Sequence, residues 1–150
     1  MTTHADTPVR YVRELDRLSE TGPPVPVGPI DHAPILGTWW NTNRSTWGIS
    51  RADLTERDGR LWMRVRAADP AAEPHDWGET VVDRVYTDGP FSRHVTGFVA
   101  TFVLDHARVQ IQANMNHGLT VIAAFTTFTD GSGRAGYLSR EFFHRRGESR

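Results

Sequence analysis

Tyr137 and Glu141, a phenol and a carboxyl four residues apart, are the chain's best candidates for proton transfer. In a strand both side chains leave the same face, and a carboxyl set among aromatic rings has its pKa raised toward neutrality. Few other groups qualify. The chain has no cysteine, which excludes thiolate nucleophiles, disulfides and thiolate metal sites. His4, His32, His75, His94, His106, His117 and His144 show neither a His-x-His nor a His-Glu-x-x-His spacing, so no metal is expected. No nucleophile elbow, phosphate loop or dinucleotide fingerprint is present, so no cofactor is expected either. Asp130-Gly131-Ser132-Gly133 is glycine-rich, but it lies between two strand-like runs and reads as a hairpin turn.

A binding site is easier to assemble than a catalytic one. Trp39, Met63, Tyr86, Phe98 and Phe125 are the expected apolar and aromatic walls of a cavity, with Asn41 and Asn43 as the polar groups that orient a ligand. The competing expectation is that these side chains fill a solid core. Gln110, Gln112 and Asn114 alternate with Val109, Ile111 and Ala113 and are expected to face solvent; the opposite sense would line the cavity with amides. Trp77, in a loop read over Ala67 to Gly78, is a candidate lid residue.

Composition narrows the partners. With 150 residues, 38% apolar and 23% charged, the chain is one globular domain in size and texture. Seventeen basic residues, all arginine, against eighteen acidic ones give a net charge of -1, which builds no positive field for nucleic acid or anionic membrane. No run is apolar enough for a membrane span and Met1 to Asp6 lacks a signal-peptide layout, so a cytoplasmic location is expected. A homodimer is left open.

The elements that must position these residues are strands. Thr7-Pro8, with Val12, Leu15 and Leu18, predicts a short helix over about residues 8–19. Residues 21–34 carry five of the nine prolines and predict an extended arm, so that residues 1–34 pack on a β domain of residues 35–150. Eight runs follow: 37–43, 46–55, 61–66, 79–87, 95–104, 107–115, 119–129 and 135–145. Short turns such as Asp58-Gly59 join most of them, which predicts an all-β antiparallel up-and-down barrel. A curved half-barrel or sandwich of the same strands is the alternative.

Leu36-Gly37-Thr38-Trp39-Trp40-Asn41, followed by Asp58-Gly59 and Leu61, resembles the opening hairpin of the calycin superfamily, the lipocalin-like and avidin-like barrels. The resemblance implies that Trp39 closes one end of the barrel under an arginine of the last strand, for which Arg140 is the candidate. It also implies that Asn41 and Ser45 face a ligand, and a lone axial haem histidine, as in some lipocalin-like barrels, would be His117 or His144. In size and architecture the chain is similar to small β-barrel polyketide cyclases, which enclose a flexible apolar chain without a cofactor. The expectation is thus a cofactor-independent cyclase or isomerase acting on a hydrophobic, polyketide-like metabolite. A non-catalytic carrier or sequestering protein is the alternative.

Overall fold

The computed structural model describes residues 28–68 and 75–146. The predicted helix over residues 8–19 and residues 21–27 of the arm lie outside them. The described chain forms one antiparallel sheet of nine strands that curls into a half-barrel. The strands are β1 (Gly37–Asn41), β2 (Ile49–Arg57), β3 (Arg60–Ala67), β4 (His75–Val81), β5 (Arg84–Thr87), β6 (Val95–Val103), β7 (Ala107–Asn116), β8 (Leu119–Phe128) and β9 (Tyr137–Arg145). Their order is β4-β3-β2-β1-β9-β8-β7-β6-β5, an up-and-down arrangement in which the first and last strands pair and β4 and β5 are left as edges.

The eight-strand count is corrected at those edges. The run 79–87 is one strand in the sequence reading, yet its first part pairs with β3 and its second part with β6. The chain crosses between the two at Val82 and Asp83, whose N–H groups donate to Leu61 O and Val99 O, both at 2.9 Å. One strand cannot make regular ladders with neighbours that diverge, so it breaks where it changes partner. The loop over Ala67 to Gly78 is corrected as well, because β4 begins at His75. Trp77 is the extra residue of a bulge opposite β3, beside Gly78 at φ +80°. A bulge re-aims a side chain, and here it lays Trp77 edge-on against Phe102 of β6, 5.6 Å between ring centres.

Alternation decides which side chains are inside. On β7 Ala107, Val109, Ile111 and Ala113 are buried, while Arg108, Gln110, Gln112 and Asn114 are exposed. Asp58-Gly59 and His117-Gly118 both have positive φ, the backbone that two-residue hairpin turns require. The outer tryptophans lie under arginines: Trp40 under Arg51 and Arg146, and Trp62 under Arg57 at 4.2 Å.

One end of the half-barrel is closed. Residues 28–36 cross it, with Asp31 bridged to His94 beside the start of β6. Ile35 is fully buried there, and the Trp39 indole N–H donates to Ile35 O at 2.9 Å. The arginine over Trp39 is Arg145, at 4.6 Å from the ring centre, and its guanidinium also donates to Pro34 O. Arg140 is corrected in that role. It sits at an even position of β9, on the outer face over Phe142, whereas Arg145 is the register partner of Trp39.

The β8–β9 turn is held by Asp130. The Ser132 hydroxyl and N–H, then Arg134, hold its carboxyl down at about 2, against an ordinary value of 3.8. A carboxyl depressed on folding contributes stability above its unfolded value and loses that contribution as pH falls from 3.8 toward about 2. An NMR titration of Asp130 is expected to show that low midpoint, and Ser132→Ala to move it up toward 3.8. An unchanged midpoint in the variant would reject the Ser132 hydroxyl bond as the largest cause.

Candidate functional site

The other end is open among the described residues. Its mouth is a cavity of about 580 Å³ between the β1–β2 loop, the start of β4, the β6–β7 turn and the strands flanking the β8–β9 turn. Trp47, Trp77, Phe128 and Tyr137 supply its aromatic walls, and Thr126 and Ser139 its polar interior. Trp47 is 80% exposed and leaves a ring face free for a ligand.

Glu141 lies one inward position below Ser139 on β9. It borders a small void of about 10 Å³ whose walls Ile49, Ala124 and Ser139 also line the mouth. Thr46 Oγ1 donates to its carboxylate at 2.7 and 2.8 Å. Asn41 Nδ2 donates both to Glu141 Oε2 and to Ile49 O. Two donors aimed at one carboxylate fix its orientation. Gly48, a residue of the cavity wall, packs directly against the group: an added Cβ would stand 3.2 Å from Glu141 Oε1 and 3.6 Å from Thr46 Oγ1.

The loop that carries Thr46 is built by side chains that cap their own backbone. Asn41 accepts from Asn43 N–H at 2.8 Å, Asn43 from Ser45 N–H at 3.0 Å, and Thr46 from Gly48 N–H at 3.0 Å. Such bonds to the residue two positions on compete with a sheet ladder. They explain why β1 stops at Asn41 rather than residue 43, and why β2 starts at Ile49 rather than Thr46.

The expected site residues divide into four groups. Asn41 and Glu141 come together behind the Gly48 wall of the mouth, and Tyr137 stands at the rim on the same face of β9 as Glu141, 6.1 Å from the Phe128 ring. Trp39, Met63 and Phe98 are almost wholly buried in the core cluster and do not line the mouth. Asn43 and Ser45 are exposed in the loop. Tyr86 and Phe125 lie on the outer face, with 50% and 39% of their surface exposed. Inside and outside alternate along a strand, and Phe125 pairs with outward-facing Gln110 rather than with the inward set.

Thr46, Gly48 and Ser139 are the residues that the sequence reading missed. The turn-forming run Asn41 to Gly48 was a usable signal for the first two, because Asn, Ser and Thr at alternate positions build side-chain-capped turns. At the rim Asp76 is bound by Arg64 and by Gly78 N–H, which hold its carboxyl below the ordinary range. Among the described residues no three His, Asp or Glu side chains converge on a metal position. His117 and His144, the haem candidates of the sequence, are both exposed and outside the mouth. No helix of the described chain is long and apolar enough to cross a membrane. Compared with protein-family models, curated proteins and solved structures, the chain matches none.

Proposed function

We propose that the half-barrel holds one small, mainly hydrophobic metabolite in its mouth and promotes a cofactor-independent cyclisation or isomerisation, with Glu141 moving the proton. The observation that carries this reading is an oriented carboxylate directly behind the Gly48 wall of a cavity of about 580 Å³. That volume is in the range of small-molecule sites. In an isomerisation Glu141 takes a proton from one carbon and returns it to another; in a cyclisation the proton leaves the nucleophilic carbon and ends on the carbonyl oxygen. Confinement of a flexible chain in a reactive shape supplies the remainder of the rate. Asn41 and Thr46 act as positioning residues, and the Tyr137 hydroxyl is the rim group free to donate to a carbonyl. The Arg145 cover over Trp39 supports a calycin-like reading of the fold, and a polyketide-like chain is the substrate class that the architectural similarity suggests.

A carrier without turnover is the second reading. It is favoured by the spacing of the acid/base groups, since Tyr137 contacts Phe128 at the rim rather than Glu141. Native mass spectrometry of the protein isolated from its own host should reveal the bound molecule. Protein and Glu141→Gln are then incubated with that molecule and with its unrearranged isomers. The catalytic reading expects turnover that drops by about 100-fold or more in the variant, the usual contribution of a general acid or base. Binding without turnover, or turnover that the variant retains, would reject it and leave the carrier.

A further inference from the structure

We infer that the molecule held in the mouth carries a cationic nitrogen, seated between the Glu141 carboxylate and the aromatic walls. The inference rests on the mouth being a binding cavity, as proposed above, but not on any turnover there. Three independent features point to it.

The first is charge. All seventeen Lys/Arg-type basic residues of the chain are arginines, and among the described residues none of them lines the mouth; Arg134 covers the Phe128 ring at its edge, and His75 and His106 are the imidazoles on its walls. Asp76, Asp105 and Glu141 are the carboxylates on or directly behind its walls. Asp76 is already paired with Arg64, and Asp105 is exposed in the β6–β7 turn. Glu141 is the deepest of the three, and among the described residues its partners are the neutral donors Asn41 and Thr46 rather than a cation.

The second is unused capacity. A carboxylate has about four acceptor positions, so one amide and one hydroxyl leave room for a further donor. The open side is the one toward the small void shared with Ile49, Ala124 and Ser139. A purely apolar ligand would desolvate this charge without compensating it, which costs free energy. An ammonium or iminium nitrogen compensates it directly.

The third is the kind of apolar wall. Trp47 and Trp77 both line the cavity, and tryptophan offers the strongest ring face to a cation. Phe128 already carries the Arg134 guanidinium at 3.9 Å, which is itself tied to Asp130, so the available faces are those of the tryptophans and Tyr137. Aromatic rings above a carboxylate accept both the charge of an amphiphilic cation and its hydrocarbon part. Pairing of this kind is a ground-state role, so it fits a carrier as well as an enzyme.

Benzylammonium, protonated at pH 8 and able to donate to the carboxylate, and its uncharged isostere ethylbenzene separate charge from shape. Binding is followed by tryptophan fluorescence and by NMR at pH 8, above the usual titration range of imidazoles. The cation is expected to bind at least about 10-fold more tightly than the isostere, and Glu141→Gln to remove most of that difference while leaving the isostere's affinity as it was. Trp47→Ala, a change at an exposed position that leaves the core untouched, should weaken both probes. Equal affinity for the two probes, or a cation affinity that Glu141→Gln does not alter, would overturn the inference and leave the cavity reading standing. Failure of both probes to bind would overturn the inference and the cavity reading together.

Discussion

Trp39→Ala is expected to destabilise the fold by about 4 kcal/mol, the usual cost of truncating a buried aromatic side chain. Trp39 is 1% exposed and has three separate attachments at the closed end. Its ring fills the space beneath residues 28–36, its indole N–H satisfies Ile35 O, and its face carries Arg145. Truncation leaves a cavity that the sheet cannot collapse into, because Trp39 lies in the β1–β9 ladder that joins the first and last strands. It also strands the Ile35 carbonyl. Trp39→Phe keeps most of the buried area and loses the hydrogen bond, for an expected cost of about 1–2 kcal/mol. Urea denaturation checks both values, and a cost for Trp39→Ala below about 1 kcal/mol would reject its role as the closing residue.

Phe98→Ala should cost about 3–5 kcal/mol while leaving ligand affinity of the folded protein unchanged. The residue is 1% exposed on the inward face of β6 and belongs to the same buried cluster as Met63, Phe102 and Ile111. Those side chains fill the half-barrel between its closed end and the mouth, across the gap that β4 and β5 leave unpaired. A ligand in the mouth does not reach Phe98, which is absent from its walls. Calorimetric binding of a mouth ligand to wild type and variant, under conditions where both are folded, separates the two roles. A selective loss of affinity would return Phe98 to the binding surface. An unchanged affinity with a lowered denaturation midpoint assigns it to the core.

Local features of the chain were legible in the sequence because they depend on nearest neighbours. Alternation along residues 107–115 sets which β7 side chains are buried, and the structure keeps that assignment throughout. Asp58-Gly59 and Asp130-Gly131 mark turns by backbone preference alone. The resemblance carried by Gly37-Thr38-Trp39 implied the end-closing position of Trp39, and the parity rule puts Tyr137, Ser139 and Glu141 on one face of β9. The meeting of Glu141 with Asn41 was not legible. These residues are one hundred positions apart, and only the pairing of β1 with β9 brings them together.

Tertiary structure also decided three questions that period alone leaves open. Parity along a strand says that two residues share a face; it does not say which face is inside when both carry apolar groups. Phe125 and Tyr86 therefore went to the outer surface, although their types suit a cavity. Arg140 and Arg145 both belong to the last strand, and the register with Trp39 selected Arg145. The split of residues 79–87 into β4 and β5 arose because two neighbouring strands diverge at the seam, a property of the curled sheet and not of the segment. Sequence by itself determined most of the strand-forming runs, the tight turns and the side-chain parity, since each reflects interactions within a few residues. Closure at one end, the open mouth at the other and the carboxylate behind its wall were decided by contacts between distant strands, whose geometry no local pattern encodes.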